Sequence, residues 1–324
     1  MGRATGRPTI YDVAKDCDVS PATVSRSIRT PDRVHSATRA RIMESIERLG
    51  YQRTARSARE RQSGTVAIVV PDITNPYYFS AITGAEGRAQ AAGLTLVIVN
   101  TEESPARESA NIERLIGRVD GFVLASSRLS DEEILSLADR AHLVLLNRYV
   151  GGMSCALVEQ DLGSRQIVDH LVSLGHERLA YLGGPTTSWV RHQRWAALAK
   201  AAEAQGVTIE QLGPYRPSAV DGGAAADAAL RHGASALVAH NDLLAIGVLK
   251  RLRDRGVRVP EDLSVVGYDD MFVAQVCTPT LTSLGGPYQE AAQFGVEILL
   301  EGHRDRCVIL PSTLAIRDST GQAP

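Results

Sequence analysis

Residues 19–28 read "VSPATVSRSI". Ser20 is a good N-cap and Pro21 suits the first helical position. Val19 before the cap and Val24 four residues after it match a hydrophobic staple. Val24 and Ile28 turn inward, which leaves Ala22, Ser25, Arg26 and Arg29 on the open face. The stretch is a short helix with little to bury and an exposed surface of small residues and arginines.

Its neighbours say what that surface is for. Upstream, Thr9 caps a first helix with Ile10, Val13 and Ala14 on one face and Asp12 in the favourable first turn. Asp16 to Asp18 read as a turn. Downstream, a third helix runs from a cap at Ser36 to about Leu49, burying Ile42, Ile46 and Leu49, with Gly50 as its stop. A tight turn between the first two of three short helices predicts a helix-turn-helix whose second helix enters a DNA major groove. An ordinary three-helix cap with solvated arginines has the same spacing.

Charge favours the DNA reading. The 324-residue chain has a formal net charge of −2. Residues 1–63, however, carry 13 Lys/Arg against 7 Asp/Glu, and the remainder is acidic. A basic head on an acidic body predicts a polyanion-binding module joined to something else. No apolar run reaches the ~18 residues of a membrane span. "MGRATGRPTI" at residues 1–10 lacks the apolar stretch of a secretory signal, so a cytoplasmic location is expected. Cys17, Cys155, Cys277 and Cys307 are scattered, and four reduced thiols are expected.

Beyond residue 64 short apolar runs alternate with helical stretches: "TVAIVV", "LTLVIV", "DGFVLA", "HLVLLN", then "RLAYLG", "SALVAH" and "LSVVGY". Buried strands alternating with helices predict an α/β body of two doubly wound parallel-sheet lobes. In such sheets ligands bind beyond the carboxyl ends of the strands. Those positions hold Pro71-Asp72, Asn100, Asn147-Arg148, Gly183-Gly184, His240-Asn241-Asp242 and Tyr268-Asp269-Asp270. Amides, carboxylates and an arginine suit a ligand bearing hydroxyls, although single residues such as Asp242 also serve as helix caps. Arg148 and Asn241 are candidates on this ground.

"TIYDVAKDCDVSPATVSRSI" resembles the DNA-binding head of the lac repressor (LacI/GalR) family. The resemblance continues through "VAIVVPDITNPYYFSAITGAE", "RVDGFVL", "LVSLGHERLAYLGGP", "ALVAHNDLLAIGVL", "DLSVVGYDD" and "LPSTLAIRDST", nearly the whole chain. It implies that Ala22 and Arg26 read bases while Ser20, Thr23 and Ser25 contact phosphates. Arg26 suits a bidentate contact to guanine, and Ala22 an apolar contact to a thymine methyl. It implies a periplasmic-binding-protein-like body with a cleft between the lobes. There Tyr78 matches a stacking position, Arg194 the ligand clamp, Tyr215 an aromatic wall and Asp269 the carboxylate that accepts ligand hydroxyls. Arg191, one helical turn before Arg194, is an alternative clamp.

The chain departs from the family pattern in several places. Glu159-Gln160 stand where Asp-Asn is common, and Gly285-Gly286 where polar residues are common. In "TARSARERQSG" (residues 54–64) the hinge leucine that wedges into the minor groove is missing, and its position falls on Ala58 or Glu60. Arg56, Arg59 and Arg61 remain, and arginines favour a narrow minor groove. The hinge is therefore expected to dock electrostatically, against the alternative of a solvated linker.

The resulting expectation is a head at 1–53, a hinge at 54–64 and an effector-binding and dimerisation body at 65–324, with the chain crossing between lobes near 162 and within 240–290. Double-stranded operator DNA, a small polar effector such as a sugar and a second copy of the chain are the expected partners, with no membrane. "RDSTGQAP" at 317–324 offers no heptad extension, so a dimer rather than a tetramer is expected. No phosphate loop, nucleophile elbow, zinc-protease or EF-hand motif is present. No catalytic residue, metal ligand or cofactor is assigned, and His176 reads as a helix-end or interface residue. A solute-binding protein of the same body would need a signal and no head. A sugar or nucleotide enzyme would need a phosphate loop or an acid/base pair.

Overall fold

The computed structural model describes residues 10–21, 23, 24, 27, 34–49 and 63–324. The chain divides between Gln62 and Ser63 into two units. The first contains α1 (Ile10–Asp16), α2 (described at Pro21, Thr23, Val24 and Ser27) and α3 (Ser36–Leu49). Val13, Ala14, Cys17, Val24 and Ile42 form its core, with Val19, Ile46 and Leu49 packed around them. The turn after α1 places Asp18 at φ 49, a left-handed backbone that Asp tolerates better than most residues. The Arg41 guanidinium donates to the Cys17 carbonyl at 2.6 Å, tying the turn to α3. The caps expected at Thr9 and Gly50 lie outside the described residues.

The second unit holds two six-stranded sheets. In the first lobe β1 (Thr65–Val70), β2 (Thr95–Asn100), β3 (Phe122–Ala125), β4 (Leu143–Leu146), β5 (Cys155–Val158) and β11 (Cys307–Leu310) run parallel in the order β11-β5-β4-β3-β1-β2. One face is covered by α4 (Tyr77–Ala91) and α12 (Tyr288–Glu301), the other by α5 (Pro105–Leu115) and α6 (Asp131–Ala138). In the second lobe the order is β12-β10-β9-β8-β6-β7. These strands are β6 (Arg178–Leu182), β7 (Thr208–Leu212), β8 (Ala236–Ala239), β9 (Ser264–Tyr268), β10 (Thr282–Gly285) and β12 (Thr313–Ala315), of which only β12 is antiparallel to its neighbour. Its helices are α7 (Asp161–Ser173) and α8 (Trp189–Gln205) on one face, with α9 (Gly222–His232) and α10 (Asp242–Asp254) on the other. A short α11 (Phe272–Val276) follows β9.

Burial on both faces explains the unbroken apolar strands: in β1 every residue after Thr65 is buried. Strands β5, β7, β10, β11 and β12 escaped the pattern. Most are three or four residues long, and β7, "TIEQL", is a polar edge strand. The chain crosses between lobes at Glu159–Gln160, slightly before the expected 162. It crosses again at Gly286–Pro287 and a third time between β11 and β12.

Four reduced thiols were expected, and the structure corrects this. Cys155 and Cys307 are joined by a disulfide, while Cys17 and Cys277 are free. The pair lies 152 positions apart in sequence but is in direct register on β5 and β11. No described helix is long and apolar enough to cross a membrane.

Candidate functional site

In the head, Ser20 caps α2: its Oγ accepts the Thr23 amide at 3.1 Å and lies 2.8 Å from the Thr23 hydroxyl. Both side chains sit at the open start of the helix. Ala22, Ser25, Arg26 and Arg29 of the DNA-reading set lie outside the described residues, as do Arg56 and Arg59 of the hinge.

In the body a cavity of about 40 Å³ lies between the lobes, at the carboxyl ends of both sheets. Tyr77 and Tyr78 reach it from the start of α4, Glu103, Ser126 and Asn147 from loops after β2, β3 and β4, and Arg194 from α8. His240, Asn241 and Asp269 close it from the second lobe. Tyr78, Arg194, Asn241 and Asp269, named from sequence, thus come together.

Arg194 is the hub. Its guanidinium donates to Asp269 Oδ1 at 2.9 Å, to Gln160 Oε1 at 3.3 Å and to the His240 carbonyl. Its Cζ stands 4.1 Å from the centre of the Tyr268 ring. Burial is the largest influence and opposes its charge, but the Asp269 carboxylate and the Tyr288, Tyr181 and Tyr268 hydroxyls together more than offset it and hold it protonated. Burial pushes the Asp269 carboxyl above its ordinary value, with Arg194 pulling the other way, and pushes the Tyr268 hydroxyl up to about 12. The His240 imidazole is held neutral, chiefly by burial and then by Arg194, and its Nδ1 pairs with the Tyr181 hydroxyl at 2.9 Å.

The first lobe carries a matching pair that sequence reasoning missed. Arg128 donates from Nε to Glu103 Oε2 at 2.6 Å and from Nη2 to Oε1 at 3.0 Å. Its backbone amide donates to the buried Glu108 at 2.9 Å. Each lobe therefore presents one arginine already neutralised by a carboxylate. The two can donate and accept hydrogen bonds without a net charge.

Backbone geometry marks the same place. Seven described non-glycine residues have positive φ, and six of them are Glu102, Glu103, Ser126, Asn147, Asp269 and Asp270. All six follow strands at the cavity end of the sheets. Strain of this kind persists only where surrounding contacts enforce it, and it clusters at ligand sites. For Asp269 and Asp270 the enforcing contacts are explicit. Ser283 Oγ accepts the Asp270 amide at 3.0 Å and donates to Asp242 Oδ1 at 2.6 Å, while Asp242 Oδ2 accepts the Met271 amide at 2.7 Å. Asp242 was a candidate both for the ligand end of the strand and for a helix cap. Asn241 is the cap instead, its Oδ1 accepting the Leu244 amide at 3.0 Å, and the fully buried Asp242 pins the Asp269 turn. Burial, then the nearby Asp269 charge, push the Asp242 carboxyl well above its ordinary value.

Other expected residues sit elsewhere. Arg148 turns away from the cavity and donates to Asp131 at 2.5 Å. Tyr215 packs on the apolar cluster of α9 and α10, and its amide donates to the Gly183 carbonyl at 2.9 Å. Gly285 and Gly286 are explained by crowding: an added Cβ would stand 2.7 Å from Asp270 Cβ and 2.5 Å from Val158 Cγ1, respectively. Glu159 caps α7 by accepting the Leu162 amide at 2.8 Å. His176 is buried between the Ser235 and Ser264 hydroxyls, a structural role. No cluster of metal-ligating side chains occurs among the described residues.

A helix-turn-helix head and a two-lobed body with a polar cavity at its strand ends define a DNA-binding transcriptional regulator. Residues 9–54 match the bacterial regulatory proteins, lacI family, and residues 168–320 a periplasmic binding protein-like domain. An uncharacterised HTH-type transcriptional regulator from the aml 5' region of Streptomyces limosus is 32% identical over 334 residues, covering 97% of this chain and 95% of that one. With that relative, the chain belongs to the lacI family. Among solved structures, the transcriptional regulator CelR in complex with cellobiose is 28% identical with a TM-score of 0.72, over 97% of this chain and 100% of that one. The lac repressor dimer bound to operator and the anti-inducer ONPF is 25% identical with a TM-score of 0.73, over 98% and 100%.

Proposed function

We propose that this chain is a cytoplasmic, non-enzymatic repressor that binds its operator as a homodimer and is controlled by an uncharged sugar held between the lobes. The observation that carries the effector reading is the convergence of two neutralised arginine–carboxylate pairs and four left-handed strand-end residues, Glu103, Ser126, Asn147 and Asp269, on one cavity. Every cation lining it is matched by a carboxylate, so a ligand rich in hydroxyls gains hydrogen bonds without bringing a charge. The cellobiose bound to CelR is a ligand of that kind. Arg194 and Asp269 act as the clamp, with Tyr78 and Asn241 beside them.

The cavity is far smaller than the ~300 Å³ of a small-ligand pocket. An effector of that size therefore parts the lobes, and this change of lobe arrangement is the signal we propose. For the dimer, support comes from apolar side chains left in the open. Phe79 and Phe272 flank a groove of about 520 Å³, and Val276 and Val220 are more exposed still.

A thermal-shift screen over neutral mono- and disaccharides tests the effector reading. At 100 times its Kd the correct sugar stabilises the protein by about 2.7 kcal/mol. Asp269→Asn removes that shift and leaves duplex binding unchanged. A sugar that stabilises the variant as well as the wild type binds elsewhere.

A further inference from the structure

The Cys155–Cys307 bond ties together the first residues of two parallel strands that lead out of the first lobe. Cys155 opens β5, which leads into the first crossing, and Cys307 opens β11, which leads into the third. The bond thus fastens the two strands at their amino ends, so the whole of each strand lies between the bond and its crossing to the second lobe. Beyond its ladder to β5, β11 has few side-chain anchors. It is an edge strand, Cys307 is exposed, Ile309 is 64% exposed, and only Leu310 of its four side chains is buried.

A chain that binds operator DNA works beside the chromosome, where thiol pools keep cysteines reduced, and disulfides that form there are usually transient or redox-sensing. This premise, and only this premise, rests on the regulator reading. We propose that Cys155 and Cys307 form a reversible redox site, opened by a cellular dithiol through Cys307, whose opening frees β11 and with it the third connection between the lobes.

The two sulfurs are unequal. Cys307 is exposed, whereas Cys155 is fully buried in the apolar cluster beneath β4 and β5. A reductant thiolate attacks Cys307 Sγ, the sulfur–sulfur bond breaks, and Cys155 leaves as a thiolate and takes up a proton. The second thiolate of the reductant then attacks the reductant's own sulfur in the mixed disulfide. Cys307 departs, is protonated in turn, and the dithiol ends as a disulfide. Two electrons pass from the dithiol to the cysteine pair. Burial disfavours the departing Cys155 thiolate, so opening is slow without a matched dithiol and the bonded state persists.

The test uses the full chain and no DNA, so its failure leaves the regulator reading untouched. Protein equilibrated with oxidised glutathione is denatured, alkylated with iodoacetamide and weighed. Two alkyl groups are expected, on Cys17 and Cys277, and four after dithiothreitol. Hydrogen exchange of the native protein then compares both states. On reduction the segment 306–312 is expected to exchange roughly tenfold faster, with β6, β8 and β9 unchanged. Cys155→Ser with Cys307→Ser should show the reduced pattern without reductant. If that variant does not fold, the dithiothreitol arm on the wild type decides alone. Four alkyl groups on the oxidised sample, or the same exchange in both states, would overturn the proposal.

Discussion

Arg194 and Asp269 show what a candidate ligand site costs the fold. Both are almost fully buried, and Asp269 holds its carboxylate in place from a backbone at φ 98. Breaking a buried pair from one side strands a charge, at a cost of about 3–5 kcal/mol. Arg194→Met should lower the urea midpoint accordingly, and adding Asp269→Asn should recover part of the loss, because the amide carries no charge and tolerates the same backbone. His240 gives a pH signature. Burial, then Arg194, hold its imidazole well below the ordinary value, so the unfolded chain takes up a proton that the folded chain refuses. Its stabilising share is full above about pH 6.5 and is lost as the pH falls toward the depressed folded value, at up to ~1.4 kcal/mol per pH unit. His176, also lowered by burial, acts in the same sense and Asp242 in the opposite one. The difference in stability between wild type and His240→Gln, followed from pH 7.5 to 5, isolates the single residue. A difference that does not change with pH would contradict the assignment.

Helix and strand ends decided which residues could be read in advance. Ser20 was legible because a cap, a proline and a staple stand within six residues of one another. Arg128 was not. It follows β3 in "SSRLSD", which looks like a solvated loop, and its partner Glu103 is 25 positions away. Arg148 follows β4 in an equally suggestive place, yet Asp131 at the start of α6 claims it. Sequence proximity to a strand end finds the right shell of residues, while the side chain's direction depends on partners distant in the chain. Helix crossings are equally hidden and can be tested with two glycines of α4. A Cβ on Gly84 would stand 2.1 Å from the Gln289 carbonyl oxygen of α12, whereas one on Gly87 meets nothing within 4 Å. Gly84→Ala should destabilise by about 1–3 kcal/mol by forcing the helices apart. Gly87→Ala should stabilise by roughly 0.5–1 kcal/mol through helix propensity. Equal effects in thermal melts would show that α4 and α12 do not cross at Gly84. For the hinge, whose Arg56 and Arg59 lie outside the described residues, the expectation concerns charge alone. If both arginines meet phosphates, replacing them with Gln should reduce the slope of log K against log salt by roughly 1.8. An unchanged slope would leave the segment a solvated linker.

At the scale of the whole molecule, the alternation of buried strands and helices made the two-lobed body legible from residue 65 onward. The third crossing and the disulfide were not, because both depend on β11, four residues of edge strand that return to β5 from 152 positions away. The central claim is that the cavity between the lobes governs how tightly the head holds its operator. A ligand can shift that affinity only by its preference between the two lobe arrangements, and couplings of this kind run to about 1–3 kcal/mol. The most direct test is fluorescence anisotropy of a labelled operator, selected from random duplexes, titrated with protein in the presence and absence of the sugar that stabilises it. The operator Kd is expected to change by roughly 5- to 150-fold in the wild type and not at all in Asp269→Asn. A sugar that saturates the wild-type protein while leaving its operator Kd unchanged would contradict the claim.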